Sequence, residues 1–404
     1  MQRVLLRVAI IAAGSAVLLG AASSVTAAAP SSPAKAPRPG HWTKVTPLGD
    51  LDINADIGLV RGPNGVLHVI WTDGQSGTIG TVVVRDTPIL ANGTVGKPVR
   101  ITGPLSEATF PDATISGRTM YVFWNQVPNH GSATGTAVAS WPAGGHGWKV
   151  TTVKRAQNNS WDFTVAAATG ADGHPWVAFT DGGNRGFEVW HNGHASKQIS
   201  SAGCCVYQAG IGVDSRSSAA WLTWYSNVTN HFGIEAQRLN RSGARIGRPI
   251  RMPGSNTGNN ALHTGQRTTA TGLGHHLAGV YLTYLAGWPI AHQVKLIKLG
   301  AKAPATVANV AEADGSTLAA DPFGRLWVAW YVSSPNPTIW LRRAGSGAGK
   351  FGPAIRLSLP GGSTSTLWKV YLNAQAKRVD VLALATVGSR TAYFATQVLA
   401  THAR

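Results

Sequence analysis

The sequence predicts an all-β protein, a seven-bladed β-propeller of four-stranded blades whose last blade is closed by the N-terminal strand. Three observations support this fold. The composition suits packed sheets. A sequence motif of strand, turn and strand, here called the phrase, recurs seven times. The last repeat lacks one strand, which the N-terminus can supply.

The composition is that of a sheet-rich protein with a large core. Charged residues make up 13% of the 404-residue chain, about half the usual fraction of soluble domains. The chain contains 48 Gly and 15 Trp, and 44% of its residues are hydrophobic. This much apolar side chain can offset the entropy of folding, which argues against disorder. The Ala/Glu/Lys/Leu-rich pattern of helical bundles is missing, so a helical protein is also excluded.

The first 40 residues have the pattern of an export signal and a linker. Residues 1–28 predict a signal peptide, because two arginines precede an apolar run and residues 25–27 (Val-Thr-Ala) form a small-x-small cleavage pattern. Residues 29–40 are rich in Pro, Ala and Ser, which is typical of a linker. Residues 41–404 are expected to form a single propeller domain. We therefore expect a secreted protein, extracellular or on the exterior of the cell envelope, with no integral membrane association.

One phrase recurs along the chain. It consists of an apolar strand, a tight turn of Gly, Asp or Asn, and a strand of alternating apolar residues that ends in a large side chain. The large side chains that end the seven copies are Trp71, Trp124, Phe179, Trp224, Tyr284, Trp330 and Leu384. Their mean spacing, about 52 residues over the six intervals from 71 to 384, leaves room for two more strands in each repeat. Four strands per repeat are typical of a propeller blade, and the Trp residues are expected to pack between blades.

The two chain ends complete each other. The seventh repeat ends after its third strand, at residues 393–398, while residues 41–46 form an unmatched strand before the first repeat. The N-terminal strand would complete the last blade and leave no bare inner edge. A ring of six or eight blades, or two β-sandwiches with Trp-rich strands, are the alternatives.

The propeller topology sorts the loops onto two faces. Loops that enter the first strand of a blade and loops that leave its second strand share one face, here called the entrance face. Turns between the first and second strands lie on the opposite face, here called the turn face. Ten of the 17 acidic residues fall near the entrance face. The turn face takes Asp172, Asp214, Asp321 and Asp380, where Asp is ordinary turn chemistry.

This distribution changes what the net charge of +18 implies. Such an excess normally suggests a polyanionic partner. Here it surrounds an acidic and polar funnel, so we expect no nucleic-acid partner and a glycan instead. Surface attachment to an anionic polymer is a further expectation.

The candidate catalytic residues lie at this funnel. They are Asp56, Asp112, Asp162, Asp314 and His263. The four aspartates precede the large residue that ends their repeat by 12 to 17 positions, and paired carboxylates can act as acid and base on a glycosidic bond. Side chains suited to hold a sugar fall on the same face: Trp161, Arg185, Tyr207, Gln208, Tyr225, Arg267, Trp288 and Tyr331. The alternative is that these polar residues only line a hydrated axial channel.

Cys204 and Cys205 are the only two cysteines, and they are adjacent in an entrance-face loop. In an exported protein they would oxidise to each other, so we expect a vicinal disulfide in a strained ring. Buried thiols or intermolecular bonds are the alternatives. The sequence contains no motif for a cofactor or a metal, and none is expected.

Two phrases resemble a known group of proteins. Residues 62–71 (Gly-Pro-Asn-Gly-Val-Leu-His-Val-Ile-Trp) and 321–330 (Asp-Pro-Phe-Gly-Arg-Leu-Trp-Val-Ala-Trp) resemble the repeats of secreted bacterial sialidase-like (BNR-type) β-propellers. The adjacent cysteines resemble a feature of the same group. The resemblance implies the fold and a site directed at glycans. The sialidase Arg-Ile-Pro segment, carboxylate-binding arginine triad and complete Asp-box repeats are missing, so no sialidase catalytic residue is carried over.

We therefore expect a secreted propeller that binds an extracellular glycan and cleaves it, as a glycoside hydrolase or a polysaccharide lyase. The alternative is a non-catalytic carbohydrate- or cell-wall-binding propeller of the lectin or adhesin kind. A cofactor-bearing or streptogramin-lyase-like propeller is a third possibility that no motif supports.

Overall fold

The computed structural model shows a ring of seven four-stranded antiparallel sheets, which confirms the seven-bladed propeller. It describes residues 40–49, 51, 56–74, 82–127, 135–142, 145, 147–157, 165–180, 186–191, 197–200, 206–214, 216–228, 232–256, 269–272, 278–333, 337–345 and 348–400. Within these ranges the structure contains strands β1 to β28 and one 3-10 turn, Gly362–Thr364. No helix in the described ranges has the length and apolar character needed to cross a membrane.

The blades follow one another along the chain. Blades 1 and 2 contain β2 (Gly58–Arg61), β3 (Leu67–Asp73), β4 (Val83–Ile89) and β5 (Val99–Arg100), then β6 (Glu107–Ser116), β7 (Thr119–Val127), β8 (Gly135–Pro142) and β9 (Lys149–Gln157). Blades 3 and 4 contain β10 (Val165–Thr169), β11 (Pro175–Thr180), β12 (Gly186–His191) and β13 (Lys197–Ser200), then β14 (Val206–Val213), β15 (Ala220–Ser226), β16 (Gly233–Leu239) and β17 (Arg245–Arg251). Blades 5 and 6 contain β18 (Thr269–Gly272), β19 (Gly279–Ala286), β20 (Gln293–Lys298) and β21 (Ala305–Asn309), then β22 (Gly315–Ala320), β23 (Leu326–Val332), β24 (Thr338–Arg343) and β25 (Ile355–Leu357). Blade 7 contains β26 (Thr366–Ala374), β27 (Arg378–Val387), β28 (Arg390–Leu399) and β1 (Thr43–Lys44).

The N-terminal strand closes the last blade, as predicted. In β1, Thr43 lies opposite Ala395 and Lys44 lies opposite Phe394 of β28. The Val45 N–H continues the ladder by donating to the carbonyl of Tyr393 at 2.8 Å. The first strands of neighbouring blades contact each other around the ring, including β2 with β26. Closure therefore gives blade 7 four strands, the same number as in every other blade.

The core lies between the blades rather than inside them. Seven buried apolar clusters each combine residues of two neighbouring blades. Trp71 and Trp124 in the second strands of blades 1 and 2 are at most 1% exposed and belong to such clusters. This confirms that these Trp residues are packing residues, because alternate side chains of a strand face opposite neighbours.

Local turn chemistry builds the turn face as predicted, except at Asp380, where the prediction was wrong. Asp380 lies inside β27, is buried, and accepts hydrogen bonds from the side chains of Arg61, Gln375 and Gln397. Asn64, Asp172 and Asp321 each accept a hydrogen bond from the backbone N–H two residues later, at 3.1, 3.1 and 2.9 Å. Side chains that make this bond favour tight turns. A glycine closes the turn of blade 1, where Gly65 has a φ of 80° that most residues avoid.

Candidate functional site

The structure describes part of the predicted entrance-face site. Seven of the predicted residues lie outside the described ranges: Trp161, Asp162, Arg185, Cys204, Cys205, His263 and Arg267. Tyr207 and Gln208 belong to β14, and only their backbone is described. The remaining predicted residues are Asp56, Asp112, Asp314 and three aromatic side chains.

Asp56 lies just before β2 and is buried, with 8% of the residue exposed. Its Oδ1 accepts hydrogen bonds from Lys369 Nζ and from the Tyr371 hydroxyl, both at 2.9 Å and both from β26 of blade 7. Burial raises the pKa of Asp56 above its ordinary value. Lys369 opposes that rise through its charge and its hydrogen bond, and Tyr371 opposes it through its hydrogen bond. The charge of Asp112 adds to the rise. Desolvation and the neighbouring Asp56 likewise raise the pKa of Tyr371, so this hydroxyl stays a donor.

Asp112 lies in β6 and joins two blades. Its Oδ1 accepts the N–H of Ala113 at 2.8 Å, and its Oδ2 accepts the N–H of Ala167 in β10 at 2.7 Å. A Cβ placed at Gly58 would be 3.1 Å from the carbonyl carbon of Asp112. The close approach of β2 to β6 at this glycine explains how the charge of Asp112 reaches Asp56. The Asp56 carboxyl contacts blade 7 and the Asp112 carboxyl contacts blade 3, and the catalytic roles of both residues stay predictions.

Asp314 belongs to a different contact, at the entrance to blade 6. Its Oδ2 accepts the N–H of Ser333 at 2.5 Å, and its own N–H donates to the carbonyl of Tyr331 at 3.0 Å. These bonds tie the loop before β22 to the end of β23. The catalytic role proposed for Asp314 stays a prediction.

The three aromatic side chains have different environments. Trp288, in the loop between β19 and β20, is 72% exposed. Tyr331 is fully buried between blades 6 and 7, where its hydroxyl donates to the carbonyl of Trp368 at 2.6 Å. Tyr225 is buried between blades 4 and 5. Of these three described side chains, Trp288 is the exposed one, and a ligand role for all three stays a prediction.

The sequence prediction of the site lacked Lys369 and Tyr371 as partners of Asp56. Both lie in the first strand of the seventh repeat. They are two positions apart, so their side chains share one side of that strand. That spacing was the available signal. In the part of the chain that is described, no three His, Cys, Asp or Glu side chains gather as a possible metal site.

No family model matches the chain, and no curated protein matches it. Its fold is similar to that of solved structures. One is a protein of unknown function from Dyadobacter fermentans DSM 18053, which is 12% identical with a TM-score of 0.51, over 89% of this chain and 99% of that chain. Another is an alpha-L-arabinanase from Penicillium chrysogenum, complexed with arabinobiose, which is 8% identical with a TM-score of 0.51, over 91% of this chain and 100% of that chain.

These likenesses define the class of the molecule. At identities this low they show a shared propeller fold and not a shared reaction, because one fold hosts many functions. The resemblance to sialidase-like repeats remains a prediction.

Proposed function

We propose that this protein is an exported propeller that binds a glycan across its entrance face and cleaves it, with Asp56 as the proton donor. The observation that carries the proposal is the buried Asp56 carboxyl, which accepts hydrogen bonds from Lys369 Nζ and the Tyr371 hydroxyl at 2.9 Å and whose pKa is raised by burial. Perturbed carboxyl groups gather at catalytic sites.

The chemistry follows from the environment of each acid. A general acid must hold its proton near the working pH, which a raised pKa favours. Lys369 and the Tyr371 hydroxyl both contact Oδ1 of Asp56, and Tyr371 stays a donor. Their bonds hold the carboxyl in one orientation. Asp112 supplies the second carboxylate that glycoside cleavage requires.

The exposed ring of Trp288 supports the glycan as the ligand. An aromatic face stacks on the apolar face of a sugar, and Trp288 is 72% exposed on the same side of the ring as Asp56. The arabinanase whose fold is similar carries arabinobiose, which agrees with a sugar ligand on this architecture. The predicted signal peptide supports action outside the cell.

A non-catalytic glycan-binding propeller is the second candidate. The observation in its favour is that both oxygens of Asp112 accept backbone N–H groups, and that Asp314 does so too. Acids used in this way stabilise local structure, as Asp314 does where it joins the loop before β22 to the end of β23. Binding would then rest on the rim of the entrance face.

Turnover on a panel of plant, fungal and bacterial polysaccharides separates the two candidates. Reducing ends report hydrolysis, and ultraviolet absorbance of unsaturated products reports elimination. We expect Asp56→Asn to lower kcat by about 100-fold or more while glycan binding is kept.

Asp214→Asn is the matched control, because Asp214 caps an exposed turn on the opposite face and Asn can replace its acceptor at the Arg216 N–H. The double variant Asp56→Asn/Lys369→Met avoids a buried unpaired lysine if the single variant is unstable. Full turnover by a folded Asp56 variant contradicts the catalytic role. Binding without turnover on every substrate, lost in Trp288→Ala, supports the second candidate.

A further inference from the structure

A small pocket opens on the turn face between blades 3 and 4, away from the entrance-face site. Its volume is about 210 Å³, which is the share of roughly seven liquid waters. Blade 3 contributes Ala171, Asp172, Trp176 and His191, and blade 4 contributes Ser218 and Arg241. The turns of two neighbouring blades thus enclose space for one small polar ligand.

His191 and Asp172 contact each other in this pocket. The Nδ1 of His191 lies 3.1 Å from the carbonyl oxygen of Pro175, and its Nε2 lies 2.8 Å from Oδ2 of Asp172. Burial alone would raise the pKa of Asp172, but the His174 N–H and the contact with His191 outweigh burial and lower that pKa below its ordinary value. The Asp172 carboxylate is therefore already engaged by His191, whose ring stacks on that of Trp176 with 4.1 Å between the centroids.

Arg241 supplies a further positive charge at the same place. It is exposed in the turn between β16 and β17, and its Nη2 donates to the neutral hydroxyl of Ser218 at 3.3 Å. Ser218 has a φ of 52°, in the left-handed region that few serines occupy. The turn holds its hydroxyl beside the guanidinium. The pocket thus has a neutral hydroxyl and a cation in addition to the contact between Asp172 and His191.

The strand that follows Arg241, β17, carries further exposed arginines. All seven residues of β17 are exposed, and they include Arg245 and Arg248. A bulge shapes this outer strand: Gln237 Nε2 donates to the carbonyls of Ile246 at 3.0 Å and Gly247 at 3.4 Å. Bulges and charges on an edge strand prevent pairing with a further strand. The edge therefore stays on the surface. Arg241 at the pocket and the exposed Arg245 and Arg248 that follow it in the chain are here called the basic strip.

We propose that the pocket and the basic strip bind an anionic glycan, with one charged sugar unit at Arg241 and Ser218 and the chain along Arg245 and Arg248. A guanidinium binds carboxylate and phosphate groups in the same paired geometry, so uronate and phosphate polymers share the required chemistry. The net charge of +18 attracts such a polymer. This site is independent of the proposed reaction on the entrance face and would anchor the protein to an anionic matrix.

Binding of three probes to the full-length protein tests the proposal: polygalacturonate, poly(glycerol phosphate) and neutral dextran, measured by isothermal titration calorimetry at two salt concentrations. We expect an anionic probe to bind and dextran not to bind at this site. Arg241→Gln should weaken binding by at least about tenfold, because hydrogen bonds to charged groups contribute that much. Arg245→Gln/Arg248→Gln should weaken it less and reduce its salt dependence.

Arg118→Gln is the matched control, since Arg118 is an exposed turn-face arginine of blade 2. Ala171→Leu tests the pocket itself, because it fills the mouth and removes no charge. We expect it to abolish binding of free galacturonate or glycerol phosphate. Equal losses for Arg118→Gln and Arg241→Gln, or unchanged monomer binding by Ala171→Leu, would overturn the proposal in favour of diffuse ion exchange. Asp56→Asn should leave this binding intact, so failure here and failure of the entrance-face proposal are distinguishable.

Discussion

Two seams of the ring, one between blades 7 and 1 and one between blades 2 and 3, bury polar groups of different kinds. At the closing seam, Lys369 pairs with Asp56 at 2.9 Å, and Arg61 forms an ion pair with the buried Asp380. Between blades 2 and 3, Asp112 accepts the N–H of Ala167 at 2.7 Å. The hydroxyls of Thr114 and Thr169 also meet there at 2.7 Å.

The difference indicates how blade 7 is aligned with blade 1. A buried charge is costly unless a partner of opposite charge lies at the right distance. Charges on both blades of the closing seam therefore favour one alignment of the first and last blades over displaced ones. Across the seam between blades 2 and 3, hydrogen bonds to backbone and hydroxyl groups take the place of such ion pairs.

Asp380→Ala should have the largest effect on stability. Asp380 is 2% exposed and accepts bonds from Arg61, from Gln375 at 3.0 Å and from Gln397 at 2.8 Å. Its removal leaves the partly buried Arg61 guanidinium, 16% exposed, without its carboxylate partner, and loss of the partner of a fully buried charge costs about 3–5 kcal/mol, which is the upper bound here. The urea midpoint and slope give the free energy of unfolding.

The control for this prediction is Asp214→Ala, which removes a turn acid whose bonds are exposed. It should lose far less stability than Asp380→Ala. Similar losses in the two variants would show that the closing seam has no special dependence on charge.

The repeated phrase predicted the blades because each blade carries its own strand periodicity and its own turn signals. The closing strand was predictable for the same reason, since residues 41–46 lack a partner within their own repeat. Lys369 and Tyr371 escaped the prediction of the site because their contact with Asp56 joins residues more than 300 positions apart. The pocket escaped it because Asp172 was predicted only as a turn residue, and His191 ends β12, 19 positions later. Their proximity depends on the register that places His191 opposite Trp176.

The pH dependence of stability should report Asp56 directly. Burial raises the pKa of Asp56 in the folded state, so the folded protein retains a proton that the unfolded chain releases. The stabilising contribution of that proton is complete below the unfolded pKa, near about 3.9, and is lost as the pH rises through the folded pKa. The wild type should therefore lose stability relative to Asp56→Asn as the pH is raised from acid towards neutral. Urea unfolding of both proteins across this range measures the difference, and a relative gain by the wild type contradicts the raised pKa.

Thr169→Val should have the smallest effect, and it tests a neutral contact of the seam between blades 2 and 3. The Thr169 hydroxyl donates to the carbonyl of Ile115 and meets the hydroxyl of Thr114, so it links β10 to β6. Valine keeps the shape and removes the hydroxyl, and a typical neutral hydrogen bond contributes about 0.5–1.5 kcal/mol. Blades 2 and 3 remain joined by the Asp112 bond to Ala167 and by their continuous chain, so the loss should stay within that range. A loss as large as that of Asp380→Ala would mean that neutral contacts hold the ring as strongly as the charged closing seam, and the contrast between the two seams would disappear.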